Sequence, residues 1–235
     1  VHLTAWFKHR DVADINMVKA GLYEAPHFTL YTTDKVLSID REAQTVTSES
    51  GKTLSYDKVV LATGSFPFVP PVPGHDRDNV FVYRTIEDLE KITSASENGK
   101  VGTVVGGGLL GLEAANALKD LGLETHVVEF APRLMAVQVD DGGGTMLRSK
   151  IEDLGVSVHT NKNTQNIGDG ESCVHKMSFA DGEELETDVL VFSAGIRPRD
   201  ELARTSELAM GERGGVVINN NCLTSDENIY AIGDV

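Results

Sequence analysis

Thr103-Val104-Val105-Gly106-Gly107-Gly108-Leu109-Leu110-Gly111-Leu112-Glu113, with Thr125-His126-Val127-Val128-Glu129 just downstream, decides how this chain is read. The first stretch passes from a β-branched apolar strand through a glycine turn into a helix, and the second is another buried strand closed by an acid. Gly106, Gly108 and Gly111 fill the three glycines of G-x-G-x-x-G. The first makes the tight turn, the second lets backbone approach a pyrophosphate, and the third lets helix pack on strand. Leu109 and Leu110 open the helix, where free N–H groups and the positive dipole end favour phosphate. Glu129 follows about twenty residues on, where such folds hold the adenosine ribose hydroxyls. With its strand, helix and acid all present, the fingerprint predicts a dinucleotide site.

The 235 residues are 40% hydrophobic and 24% charged, an ordinary globular composition with room for one or two domains. The net charge of −15 argues against nucleic acid or an anionic membrane as partner, since both need basic patches. No apolar run approaches the ~20 residues of a membrane span. Cys173 and Cys222 form no C-x-x-C or C-x4-C pair, and the seven histidines lack metal-ligand spacing. A reducing, cytoplasmic setting is therefore expected, with no metal site and no redox disulfide.

An internal echo extends the reading. Gly51, Leu54, Asp57, Gly64 and Pro67 match Gly182, Leu185, Asp188, Gly195 and Pro198 at one constant offset, which indicates two copies of one supersecondary unit. The second copy reads as strand Val101–Val105, helix Leu109–Leu121, strand Thr125–Glu129, helix Gly144–Leu154 ended by Gly155, and strand Val156–Thr160. Short alternating segments at Asn163–Ile167, Val174–Phe179 and Glu184–Glu186 form a β-meander in place of a crossover helix, and Val189–Ser193 closes the parallel sheet. In the first copy, Ala13–Tyr23 is read as its second helix and Phe28–Thr32 as the strand after it. Its own glycine loop is expected roughly two dozen residues before Val1, by the same offset. Between the copies, the proline-rich Ser65–Gly74 reads as an extended linker. Thr85 is read as an N-cap, with Asp88 at N3. Trp6 and Phe7 read as side chains without packing partners.

The expected fold is α/β: two nested Rossmann-like dinucleotide-binding folds with parallel sheets and β-meander crossovers, the first incomplete. The boundaries are 1–98 for a partial first domain, 99–218 for the second and 219–235 for a return segment.

Ala62-Thr63-Gly64, the central glycine fingerprint and the closing Ile229-Tyr230-Ala231-Ile232-Gly233-Asp234 together resemble the pyridine nucleotide-disulfide oxidoreductase superfamily. Gly106–Ala115, Glu124–Met135, Ser193–Ala203 and Tyr83–Asp88 resemble, more narrowly, the flavin-containing part of assimilatory NAD(P)H-nitrite reductases. The resemblance implies NAD(P)H at Gly106, Gly108, Leu109, Leu110, Gly111 and Glu129, with Glu113 near the nicotinamide and Gly195 and Ile196 along that side. It implies FAD at Ala62, Thr63, Gly64, Arg84, Gly233 and Asp234. In the family, hydride passes from nicotinamide to flavin, and electrons then go singly to iron–sulfur and sirohaem modules that reduce nitrite to ammonia. Those modules would lie outside this chain, and a homodimer is an open partner.

Other readings stay open at this point. A stand-alone flavin reductase serving a ferredoxin or rubredoxin, an NADH oxidase and a non-catalytic NAD-binding module all share the fingerprint. Glu113 is also a residue type favoured in any first helical turn. Glu129 accepts hydrogen bonds from both ribose hydroxyls and repels a 2′-phosphate, which favours NADH over NADPH.

Overall fold

The computed structural model describes Leu3, Trp6, Phe7, Asp11 and residues 16–235. Along the chain, an antiparallel meander of β1 (Val36–Asp40), β2 (Thr45–Ser48) and β3 (Thr53–Ser55) leads to β4 (Val59–Leu61) and β5 (Ser65–Pro67). Next come β6 (Val80–Val82), α1 (Ile86–Ser96), β7 (Val101–Val105), α2 (Leu109–Asp120), β8 (Glu124–Val128), α3 (Asp141–Asp153) and β9 (Val156–His159). A second meander, β10 (Thr164–Asp169), β11 (His175–Phe179) and β12 (Glu184–Thr187), precedes β13 (Val189–Phe192). The chain ends with β14 (Ile196–Pro198), α4 (Glu201–Thr205) and β15 (Ile229–Ala231).

These elements form two compact units. One holds the described residues up to Asn16 and Pro67–Gly195; the other holds Met17–Phe66 and Ile196–Val235. The first is built on a five-stranded parallel sheet in the order β6-β13-β7-β8-β9. Both faces of the sheet are covered, and its inner strand β13, Val189–Phe192, is accordingly an unbroken apolar run, buried throughout. On one face Val104, Val127 and Val191 meet Leu89 and Ile92 of α1 and Ala114, Ala117 and Leu118 of α2. On the other, Val128, Leu190 and Phe192 meet Ile167, Met177 and Phe179 of the second meander. The alternation along each strand sorts these side chains between the two layers.

Local chemistry sets the helix ends. Thr85 and Asp88 form a reciprocal capping box at α1. Asp140 accepts from the Gly143 N–H at 2.8 Å and starts α3 three residues earlier than the apolar pattern suggested. Gly155, with φ +85°, ends that helix in the left-handed region expected of it. The echo is visible as geometry: Gly51 and Gly182 turn corresponding hairpins with φ +81° and +85°.

Several expectations change. Residues 67–98 pack with the 101–192 sheet rather than with the first copy, and residues 196–218 join the other unit. The cause is β6, three residues too short to announce themselves, which pairs in parallel with β13 at the sheet edge. α1 then buries Leu89 and Ile92 in the same core. So β13 lies inside the sheet rather than at its end. Of the Ala13–Tyr23 helix, residues 13–15 lie outside the described residues, and residues 16–23 form turns and bends. Phe28–Thr32 forms no strand, and Leu30 and Tyr31 are about half exposed. Trp6 is buried against the first unit's core, and the Phe7 ring stacks on Tyr83 with centroids 6.4 Å apart, so both have partners.

Asp188 ties the second meander to the start of β7. Its carboxylate accepts from the N–H groups of Lys100 (2.7 Å), Val101 (3.0 Å) and Val174 (3.1 Å). Burial alone would push its pKa up; the N–H bonds from Lys100, Val101 and Val174 outweigh that and hold it below the usual value. A depressed folded-state pKa gives stability that is present above the unfolded value near 4 and is lost as pH falls through the folded value. Asp188→Asn is therefore expected to cost about 1.5–3 kcal/mol at pH 7. The gap between variant and parent should narrow below about pH 4 in denaturant midpoints.

Candidate functional site

The turn from β7 into α2 makes different demands on its glycines. Gly106 sits at φ +121°, its N–H donates to the Val128 carbonyl at 2.8 Å, and a Cβ there would lie 2.3 Å from the Ser193 carbonyl oxygen. Gly111 lets α2 touch the turn, since a Cβ would lie 1.9 Å from the Gly106 carbonyl oxygen. Gly108, the N-cap, has an extended backbone and nothing within 4 Å of an added Cβ. The first and third glycines are therefore required by packing, whereas the second faces open space. No side chain caps α2, so its first N–H groups, beginning at exposed Leu109 and half-buried Leu110, remain open to an anion.

Glu129, at the end of β8, reaches back to this turn. Its Oε2 accepts from the Gly107 N–H at 2.5 Å, and its Oε1 accepts from the Ala131 N–H at 2.7 Å. The carboxylate is thus fixed beside the glycines, and each oxygen keeps a lone pair for a further donor. The motif alone did not single out Gly107. A Cβ on it would stand 2.6 Å from Leu134 Cδ2 and 3.0 Å from Glu129 Oε2, and its only trace in the sequence is a third glycine where the fingerprint asks for two.

Glu113 lies in the second turn of α2 rather than the first, because the helix starts at Leu109; it is partly buried, and its Oε2 is buried without a hydrogen-bond partner. Such an orphan is uncommon in folded proteins and fits a site that receives a donor from outside the chain. Gly195, at φ +113°, is exposed, and an added Cβ would meet nothing within 4 Å. Gly195 closes the first unit and Ile196 opens the second.

Arg133 is the first cation after Glu129. Its guanidinium is engaged by its own loop: Nε donates to the Val139 carbonyl (3.0 Å), Nη2 to the Ala136 carbonyl (3.3 Å) and Nη1 to Asp141 (2.7 Å).

In the other unit, the parallel pairing of β4 with β15 sets Val59, Val60 and Leu61 opposite Ile229, Tyr230 and Ala231. It therefore brings Ala62-Thr63-Gly64 beside Gly233-Asp234 at the carboxyl ends of two parallel strands, the usual ligand position in such sheets. Ser65 donates to Asp234 Oδ2 at 3.1 Å, and Thr63 donates to the Arg199 carbonyl at 2.7 Å. Gly64 and Gly233 both have left-handed φ, and Ala62, Gly233 and Asp234 are exposed. Arg84, grouped with these residues on the sequence, lies in the first unit, where its backbone N–H donates to Asp88.

Among the described residues, no group of three or more His, Cys, Asp or Glu could hold a metal, and no helix is long and apolar enough to cross a membrane. Burial, with Asp188 and Glu186 nearby, pushes the Cys173 thiol up.

The sequence profile of the pyridine nucleotide-disulphide oxidoreductases matches residues 8–235. The chain belongs to that family. It is 54% identical over its whole length to the nitrite reductase [NAD(P)H] large subunit of Klebsiella oxytoca, covering 24% of that protein. It is 52% identical to the nitrite reductase (NADH) large subunit of Escherichia coli, covering 28%. The chain thus spans about a quarter of the length of these curated relatives. Among solved structures, a ferredoxin reductase from Rhodopseudomonas palustris superposes with a TM-score of 0.90 at 29% identity, over 99% of this chain and 57% of that one. Family membership makes FAD and NAD(P)H the expected cofactors, in agreement with the resemblance.

The glycines provide a clean contrast. Gly111→Ala should lower stability by about 1–3 kcal/mol through overpacking. Gly108→Ser should change it by no more than about 0.5 kcal/mol, because serine is an accepted N-cap. Denaturant unfolding of the two variants checks both.

Proposed function

We propose that this chain is the NAD(P)H- and flavin-handling portion of a nitrite reductase. The observation that carries the coenzyme half is the Glu129 carboxylate held against the Gly107 N–H, which joins the phosphate turn and the ribose acid in one rigid feature. The two relatives above 50% identity over the full chain support the nitrite reductase half.

In this reading the pyrophosphate lies over Gly106 and Gly108, against the open N–H groups of Leu109 and Leu110. Gly111 keeps the helix close enough for those groups to point at it. Glu129 accepts the adenosine ribose hydroxyls. Glu113 offers its unpartnered Oε2 to a donor on the nicotinamide, with Gly195 along that side. Ala62, Thr63, Gly64, Gly233 and Asp234 would hold FAD at the strand ends. When bound, flavin would supply the conversion of the two electrons of one hydride into single-electron steps. Iron–sulfur and sirohaem modules outside this chain receive those electrons and reduce nitrite to ammonia.

NADH is the preferred donor. A fixed carboxylate repels a 2′-phosphate, and the nearest following cation, Arg133, is held by its own loop. A second reading, a flavin reductase feeding a small iron–sulfur protein, is favoured by the likeness to the Rhodopseudomonas palustris ferredoxin reductase.

Titration of NADH into the chain, followed by coenzyme fluorescence, should saturate; absence of saturation at millimolar NADH with folded protein removes the coenzyme site. Glu129→Ala should weaken NADH at least about tenfold, since bonds to a charged acceptor are worth about 1.5–3 kcal/mol. NADPH should be affected far less, and equal loss for both coenzymes would end the ribose role. Glu113→Met should raise the melting temperature of the free chain, because it removes a buried unpaired oxygen, while slowing flavin reduction in the flavin-loaded protein. A lower melting temperature with an unchanged rate would contradict both roles.

A further inference from the structure

Glu129 can select a ribose only if its backbone is fixed. One side is held by the glycine turn, through the Gly106 N–H to the Val128 carbonyl at 2.8 Å. The other is held by the segment that follows β9. The Glu129 N–H donates to the His159 carbonyl (2.8 Å), the Lys162 N–H donates to the Glu129 carbonyl (3.0 Å), and the Asn161 N–H donates to the Ala131 carbonyl (3.0 Å). Asn161 takes a left-handed φ of +57° to fold this segment back onto residues 129–131. Residues 159–162 thus cradle the acid on both sides of its Cα.

The cradle is itself anchored. The His159 ring meets His126 with Nε2 to Nδ1 at 3.0 Å, and Arg148 donates to the Val158 carbonyl at 2.9 Å. Beyond His159 the segment runs toward the turn of the second meander, where the Ala180 N–H donates to the Asn163 carbonyl at 2.9 Å. There Lys162, with only 10% of its side chain exposed, places its ammonium between Asp181 (2.5 Å) and Glu183 (2.7 Å). Its Nζ also stands over the Phe179 ring, 5.6 Å from the centroid. The two acids are more exposed than the lysine, at 44% and 71%, so the cation is the member of the trio that the fold encloses.

We propose that Lys162 is a positioning residue for coenzyme selection: its ion trio with Asp181 and Glu183 fixes the 159–162 cradle and so holds Glu129 at the ribose. Lys162 itself touches no coenzyme. The inference rests on the reading of Glu129 as the ribose acid. An ammonium between two carboxylates has little freedom to shift, and the meander turn it grips is fused to the core through Phe179. The link is a chain of three contacts: turn to Lys162, Lys162 backbone to the Glu129 carbonyl, and Glu129 carboxylate to the Gly107 N–H. A small displacement at the first contact moves the last, and misplacement of a positioned group is what binding sites tolerate least.

The test uses Lys162→Met, which keeps an unbranched side chain of similar length without the charge and leaves Asp181 and Glu183 to water, and Lys162→Arg, which restores a cation. Dissociation constants for NADH and NADPH are measured by fluorescence titration in the whole chain. Lys162→Met is expected to raise the NADH constant about three- to tenfold, in the range by which residues that touch no ligand alter affinity elsewhere. The NADPH constant should change less than about twofold, and Lys162→Arg should return NADH to within about twofold of the parent. An unchanged NADH constant, or an equal loss for both coenzymes, overturns the proposal. If Lys162→Met fails to fold, the double variant D181N/E183Q removes the same trio from its exposed side and must give the same divergence. The Glu129→Ala titration separates the two levels. If Glu129→Ala weakens NADH and Lys162→Met does not, only the positioning role fails; if Glu129→Ala leaves NADH unchanged, the ribose reading itself has failed.

Discussion

The nucleotide unit depends on one close contact: the backbone of Gly111 against the carbonyl of Gly106, where a single methyl group would stand 1.9 Å from the oxygen. That approach sets the position of α2 on the sheet. From it follow the burial of Ala114, Ala117 and Leu118 against Val104 and Val127, and the direction in which the first helical N–H groups point. A side chain at either glycine would push helix from strand and lose packing and anion site together. Stability and binding are coupled here through geometry, because the same few atoms serve both. Gly108 stands apart from that coupling, for a side chain added there would touch nothing in the protein.

Much of the first unit was legible because its signals were local and periodic. The glycine fingerprint, the capping pair Thr85 and Asp88 and the Gly155 stop are short patterns with a direct physical cause, and the structure shows each. The meander was readable from alternation and from the Asp181-Gly182 turn. What could not be read was decided by distant partners. β6 is three ordinary residues whose strand character comes from β13, more than a hundred positions away. The compact units follow from that pairing, which is why a boundary drawn near Gly99 differs from the observed division. Phe28–Thr32 makes the same point, for residues of strand-forming type there belong to no strand.

The candidate site divides along the same line. Gly106, Gly108, Gly111 and Glu129 follow from spacing, and the structure brings them to one corner. The role of Gly107 was hidden because its neighbours, Leu134 and the Glu129 carboxylate, arrive from later in the chain. The unpaired oxygen of Glu113 likewise depends on what surrounds it, not on its own type. Arg84 shows the limit of adjacency: its sequence neighbours cap α1, and the packing of that helix assigns it to the nucleotide unit.

An acidic chain that receives a doubly charged diphosphate faces an electrostatic problem, since its net charge of −15 opposes the approach. Arg133 does not relieve it, because its donors are taken up by the 136–141 loop. The open helix start does. Peptide dipoles and free N–H groups act at contact distance, where they outweigh a diffuse field that salt screens over about 8–10 Å. A recognition surface of this kind also suits a carboxylate as neighbour. Glu129 can sit beside the phosphate turn because the Gly107 and Ala131 N–H groups compensate its charge directly, leaving it free to accept from neutral hydroxyls and to oppose a further phosphate. In the proposed reading, attraction for the shared diphosphate and rejection of an added one would come from one set of backbone donors, distributed between a helix end and a single side chain.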